Sequence, residues 1–324
     1  MSTASELVLA QSAHISAIWL GAGKRVQILE QFHECAQRRG ITLSVCAVES
    51  SQFVPIARFC DVVPGPKFSD EKFGDFLIAL IRERQANLIL PFMDSATVAL
   101  SKMSERIRVE TGAIPMVSDA ALCRVMEDKL LADGWFSRYD VAKPPLDRYP
   151  MLLKPRLGFA ARDHHIAHSP EERRRIESAR PTDYFFAQSI VQGPEYTIDA
   201  YVGPEGHRGH SIRRRWVVVG GEVEQSEIVD NHAISALVER VCSVMGWFGP
   251  ITLQVIQEED GSLSMIEINP RFGGGATHSI AAGLPIIDWV FDDVLGCAPT
   301  KFPGLMRNRL MTRYRKDVYH DPGH

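Results

Sequence analysis

The first third of the chain alternates two spacings of apolar residues. HISAIWL (14–20) is an apolar run of strand length. GAGKRV leads from it into a segment with Val26, Leu29, Phe32 and Ala36 at helical spacing. ITLSVCAVES reads as a second strand, FGDFLIALIRERQ as a helix and ANLILPF as a further strand. Such alternation builds a parallel, doubly wound sheet of Rossmann-like type, whose ligands bind beyond the carboxyl ends of the strands. Two loops fall there: Gly21-Ala22-Gly23-Lys24-Arg25 and Pro91-Phe92-Met93-Asp94. The glycines invite a dinucleotide reading. The third glycine of that fingerprint is missing, so a tight strand-to-helix turn is preferred.

Further along, the pattern changes to strands with two distinct faces. In MIEINPRFGGG (265–275), alternation sends Ile266 and Ile268 to a core and Glu267, Asn269 and Arg271 to the other side. The preceding segment turns at Asp260-Gly261, the composition of a type I′ hairpin. A turn on those two residues sets Gln254 opposite Glu267 and Leu253 opposite Ile268, with Cβ atoms about 5 Å apart. Gln254, Glu267 and Asn269 then offer three oxygens on one patch, with a single formal charge. Such a patch suits Mg²⁺ held together with phosphates, and the Arg271 guanidinium beside it suits a phosphoryl group. Taken alone, the stretch is equally an amphipathic edge strand with a solvated face. SIRRRWVVVGGEVEQ reads as a strand, a Gly-Gly turn and a return strand. Arg213 and Arg215 share one face and Arg214 takes the other, and one of these faces is expected to line a cleft.

Composition narrows the class. The chain has 324 residues, 45% hydrophobic and 23% charged, which is a globular composition with length for two or three domains. A net charge of −4 implies no general attraction to nucleic acid or to a membrane surface, and the apolar runs are only strand length. Six cysteines, at 35, 46, 60, 123, 242 and 297, lack paired spacing, so reduced thiols and a cytoplasmic location are expected.

The hairpin with Gln254 and E-x-N-x-R resembles the metal-binding end of ATP-grasp ligases, in particular the large subunit of carbamoyl-phosphate synthetase. Other motifs of that family follow in its order from residue 15 to residue 300. The stretches DVVP (61–64) and ILPFMD (89–94) resemble the family's pre-ATP-grasp domain, which helps to bind the acceptor. Lys129, opening a helix after Asp128, and Lys154, in MLLKPRLGF, stand where the family has its phosphate lysines. AQSIVQGPEYT resembles the hinge of the fold. Gln188 there takes the place of the usual glutamate, backbone groups of Ser189 and Val191 would meet adenine, and Glu195 would hold the ribose hydroxyls. The loop after Lys154 departs from the family, since Gly158 stands alone and Ala160 and Ala161 replace glycines. A stiffer lid or impaired turnover would follow. His164, His165 and His168 are expected to be solvated or to face substrate.

The resemblance implies an α/β and α+β chain. A Rossmann-like domain would span residues 1–115, a small ATP-grasp lobe 116–186 and a large lobe with the metal site 187–324. It implies ATP and Mg²⁺ (or Mn²⁺), a small carboxylate and an amine as substrates, an acyl-phosphate intermediate, and compatibility with a homodimer. Arg271, Arg213 and Arg215 would act on the transferring phosphoryl group. A catalytically weak ATP-binding regulator and a nicotinamide-dependent oxidoreductase are the alternatives.

Overall fold

Three sheets divide the chain in the computed structural model, which describes residues 13–158 and 163–320. The first sheet is parallel, in the order β3-β2-β1-β4-β5. Its elements are β1 (His14–Leu20), α1 (Val26–Arg38), β2 (Thr42–Glu49), β3 (Asp61–Pro64), α2 (Phe73–Arg84), β4 (Leu88–Pro91), α3 (Asp94–Thr111) and β5 (Ile114–Pro115). β1 is buried along all but its first residue, because helices cover both faces. Ile18 and Leu20 pack with α2 and α3, whereas Ile15, Ala17 and Trp19 face α1 and share a core with Phe272, Trp289 and Phe291 near the far end of the chain. Helix α3 was not anticipated. It buries Ala96, Thr97, Leu100, Ser101 and Ile107, a stripe too small and polar to show a helical apolar period.

Helices α4 (Ala120–Glu127) and α5 (Lys129–Arg138) follow. A three-stranded antiparallel sheet comes next, ordered β7-β6-β8, from β6 (Met151–Pro155), β7 (His165–Ala167) and β8 (Phe185–Ser189), with α6 (Pro170–Ser178) before β8. It covers a small core of Met151, Leu153 and Ala167. The largest sheet is ordered β13-β12-β9-β10-β11-β14. It comprises β9 (Glu195–Gly203), β10 (Gly206–Val219), β11 (Glu222–Val229), α7 (His232–Cys242), β12 (Gly249–Gln257), β13 (Leu263–Asn269), α8 (Ala276–Ala281), α9 (Ile286–Leu295) and β14 (Leu310–Thr312).

The expected division at 116 and 186 needs two adjustments. Leu122, Met126, Ala132, Trp135 and Phe136 on α4 and α5 pack into the core of the six-stranded sheet with Ile198 and Leu253, so these helices join the large lobe. The small sheet also runs to Ser189, three residues past the expected boundary. No described helix is long and apolar enough to cross a membrane.

The hairpin of β12 and β13 reaches the expected register by an unexpected route. Glu258 N donates to Ser262 O and Gly261 N to Glu258 O (2.9 Å each), which closes a three-residue loop. Only Gly261 has positive φ (+86°), so the turn is not type I′. That loop pairs Gln257 with Leu263 and Val255 with Met265. A bulge at Ile266 then shifts the register by one, so that Gln254 faces Glu267 and Thr252 faces Asn269. In consequence Met265, not Ile266, takes the inward place beside Ile268, and Ile266 is half-buried on the cleft wall.

Candidate active site

A cleft of about 550 Å³ lies where the three sheets meet. Its walls carry Lys129, Lys154, Gln188, Arg213, Arg215, Gln254, Glu267, Asn269 and Arg271 from the sequence reading. Ser189, Val191 and Glu195 are not among the lining residues, although Gln254 on the wall donates through Nε2 to Glu195 Oε1 (2.7 Å).

Two lysines define one end. Asp128 caps α5 by accepting from Leu130 N (3.0 Å) and Leu131 N (3.5 Å) and is itself held by Arg156 (2.6 Å). This cap fixes Lys129 at the first helical position, where its Nζ donates to Gly158 O (3.1 Å) and Arg156 O (3.4 Å). Lys154 follows Leu153 on β6, so one faces the small core and the other the cleft. It is 5% exposed and has no hydrogen-bond partner among the described residues. Burial pushes its ammonium pKa down to about 8, against the pull of Glu267 and with a further push from Lys129. Lys129 is lowered for the same first reason, opposed by Glu267, Asp94 and Asp128. His164 is lowered by burial and then by both lysines, which sets it near this end. His165 pairs with Asp163 (2.8 Å) on a strand, so His164 and His168 share no helix face.

Oxygens line the adjoining wall. Asn269 Nδ2 donates to Glu267 Oε1 (3.0 Å), and the Gln254 amide nitrogen is occupied by Glu195. Gln254 Oε1, Glu267 Oε2 and Asn269 Oδ1 therefore remain without hydrogen bonds among the described residues. These three hard donors with one carboxylate fit a divalent cation that shares its charge with phosphates. The described residues contain no group of three or more His, Cys, Asp or Glu placed to hold a metal. Glu195 is raised by burial, against the attraction of Arg215, with which it forms an ion pair.

The arginines are held by acids. Arg213, 1% exposed, donates through Nε to buried Asp199 (2.8 Å), which also accepts from Ser279 Oγ (2.6 Å). Arg214 points to the opposite face and stacks on Trp216 (4.2 Å). Arg271 pairs with Asp94 (2.6 Å) at the end of the parallel sheet. Its neighbour Phe272 is buried and stacks on Phe92 (5.7 Å, 10°), which anchors Arg271 against that sheet. None of the glycines at 273–275 has positive φ; a Cβ on Gly275 would lie 2.5 Å from Arg213 Nη1 and one on Gly273 2.8 Å from Thr252 Oγ1, so protein packing limits the side chain at both positions.

The crossing between lobes completes the cleft. Phe186 and Gln188 line it, while Phe185 and Ala187 pack on the small core. Ser189 N already donates to Pro145 O (2.8 Å). Gly193 (φ +153°) permits the passage to β9, since a Cβ there would lie 2.0 Å from Gln257 O.

A family model described as an ATP-grasp in the biosynthetic pathway with Ter operon matches residues 183–315. The Staphylococcus aureus N5-carboxyaminoimidazole synthetase complexed with ADP superposes with a TM-score of 0.73 at 15% identity, covering 94% of this chain and 83% of that one. The chain has the ATP-grasp fold. The L-amino acid ligase from Bacillus licheniformis gives a TM-score of 0.67 at 18% identity, over 90% of this chain and 75% of that one. The biotin carboxylase domain dimer of Hydrogenobacter thermophilus 2-oxoglutarate carboxylase, in complex with MgADP and bicarbonate, gives 0.68 at 17%, over 91% and 73%. A search of curated proteins by sequence finds no match. The comparisons support the ATP-grasp fold as a whole and not the carbamoyl-phosphate-synthetase branch in particular.

The cleft also contains residues that the sequence motifs do not single out. Arg25 and Asp94, noted only within candidate loops, reach its wall from the parallel sheet, and Arg313 reaches it from just past β14. The loop position beyond a strand's carboxyl end was the available signal for the first two; Arg313 had none. Glu49, at the end of β2, accepts from the amides of Ala22 and Gly23. A carboxylate thus occupies the turn that a dinucleotide would need for its pyrophosphate, which argues against the oxidoreductase. Residues 159–162, with Ala160 and Ala161 of the glycine-poor loop, lie outside the described residues.

Proposed function

We propose that the chain is an ATP-dependent ligase joining a small carboxylate to an amine or another nucleophile through an acyl phosphate. The observation that carries this reading is the convergence of Lys129, Lys154, Gln254, Glu267, Asn269 and Arg271 on one cleft of the ATP-grasp fold. An oxygen of the substrate carboxylate attacks the γ-phosphorus and the bond to the β-phosphate oxygen breaks, giving acyl phosphate and ADP. The nucleophile then attacks the acyl carbon, phosphate leaves, and the nucleophile's proton passes to phosphate or solvent.

The protein's part is positioning and charge. Lys129 and Lys154 grip phosphates of bound ATP. Arg271 holds oxygens of the transferring group, its fork suiting two of them. Arg215, paired with Glu195, and Arg213, paired with Asp199, border the transferring group from the facing wall. Gln188, the Ser189 carbonyl and the Val191 amide receive adenine, and Glu195 receives the ribose. Gln254, Glu267 and Asn269 would hold Mg²⁺ (or Mn²⁺). When bound, the ion neutralises charge on the phosphates. The homodimer and the cytoplasmic location belong to the same reading; the dimeric biotin carboxylase domain supports the first. The weak-regulator reading rests on the glycine-poor loop alone.

The test is phosphate release over a panel of amino acids and small carboxylates with amines, with product masses measured. Acid-dependent release is expected for wild type, and its loss in Glu267→Gln and Asn269→Ala variants that keep their fold. ATP binding with no release across the panel favours the regulator. Full activity in both variants overturns the metal assignment.

A further inference from the structure

The arginine end of the cleft differs from the lysine end in where its charges come from. Arg25 stands between β1 and α1, and Arg313 follows β14 at the other end of the chain. Both line the cleft and both approach Gly274. Arg313 Nη2 donates to Gly274 O (2.8 Å), while a Cβ on Gly274 would sit 3.2 Å from Arg25 Nη1. Glu222 lies 3.5 Å from Arg313 and is mostly exposed. The Arg25 guanidinium has no hydrogen-bond partner among the described residues.

Charge balance points to what is missing. Arg271 is neutralised by Asp94. Arg25 and Arg313 have Glu222 between them, which leaves one positive charge that an arginine cannot shed by deprotonation. Burial, Arg271 and Arg313 all act to lower the Arg25 pKa, and Glu222 and Asp94 oppose them, so this is a crowded cationic corner. A half-buried guanidinium in such a place is stabilised by a carboxylate that accepts from its fork. A single carboxylate balances the corner, whereas a phosphate dianion exceeds it.

In the proposed ligase reading the lysines, Glu267 and Arg271 mark where phosphoryl transfer occurs, with Arg271 between that place and Arg25. Lys129 and Lys154 both feel Glu267, and Lys129 also feels Asp94, whereas the charges that act most on Arg25 are Arg271, Glu222, Arg313 and Asp94. Arg25 stands at the β1–α1 turn of the parallel sheet and Lys154 on β6 of the three-stranded sheet, so they line the cleft from different sheets and a carboxylate at Arg25 is distinct from the one activated at the lysine end. We propose that Arg25 and Arg313 form a second anion subsite, which selects an acceptor bearing two carboxylates, one held there and the other phosphorylated. This rests on reading the cleft as a ligase site, but the binding it requires is measurable without turnover.

The test is calorimetric titration, in the presence of MgADP, of malonate, succinate, glutarate and L-glutamate against acetate and butyrate. At least one two-carboxylate acid should bind about tenfold or more tighter than the one-carboxylate acids. Arg25→Gln and Arg313→Gln should each reduce that preference and leave MgADP affinity unchanged, while Arg25→Lys should retain part of it. Equal binding of both classes, no binding of any dicarboxylate, or a preference that survives in the double Gln variant overturns the proposal. A failed phosphate-release panel with an intact, Arg25-dependent preference would count against the ligase reading and not against the subsite.

Discussion

Lys154 and Arg213 are both nearly fully buried cations on the wall of one cleft, yet they are treated in opposite ways. Arg213 has Asp199 at 2.8 Å, and Asp199 is fixed in turn by Ser279. Lys154 has no such partner among the described residues, and burial lowers its pKa to about 8. A buried charge with a built-in counterion is part of the framework. One without a counterion raises the energy of the empty protein and is repaid only when an anion arrives. On the proposed function, the contrast separates residues that shape the cleft from residues that wait for its ligand, and it moves the expected weight from Arg213 toward Lys154.

The largest effect that could break this contrast is Asp199→Asn. Leaving Arg213 charged, buried and unpaired should cost about 3–5 kcal/mol. Urea denaturation measures it, and a loss below about 1 kcal/mol would show that Arg213 needs no counterion.

Arg271 lies between the two cases, paired with Asp94 yet 15% exposed where Arg213 is 1% exposed. Arg271→Lys should lower kcat about 10²–10³-fold, as for loss of one preorganised donor, with MgATP affinity nearly normal. Loss of MgATP binding in that variant, by calorimetry, would make Arg271 a ground-state anchor.

Much of this was legible because alternation along a strand is short-range. Glu267 and Asn269 on one face, Arg213 and Arg215 on another, and Lys154 opposite Leu153 follow from sequence spacing alone. The Gln254–Glu267 pairing was reached for a partly wrong reason. A three-residue loop and a bulge at Ile266 shift the register in opposite directions and cancel, which local composition does not reveal. What stayed hidden depends on tertiary approach. The Asp199 counterion sits on β9, Arg313 arrives through a three-residue strand on the β11 edge, and Glu49 matters only because the β1–α1 turn folds onto it. Helix α3 was hidden because small and polar residues make up most of its buried stripe.

A smaller effect sharpens the comparison through pH. The native Lys154 pKa lies below its ordinary 10.5. Between pH 8 and 10.5 the unfolded chain binds more protons there than the native one, so this lysine's contribution to stability rises with pH across that window. Ligand capture should move the other way. kcat/KM for ATP, which reports the free protein, should fall several-fold as pH rises through about 8. Absence of an inflection near there would place the ammonium in a better-solvated setting.

The central claim is that Lys154 is left unpaired for a phosphate. Lys154→Met tests it most directly, with MgATP titrated by calorimetry and the melting temperature of the ligand-free protein measured at pH 7. The account predicts at least a hundredfold loss of MgATP affinity together with a higher Tm, since removing a buried charge that burial shifts from 10.5 to about 8 relieves up to about 3 kcal/mol. A Lys154→Met protein that binds MgATP as tightly as wild type would contradict it.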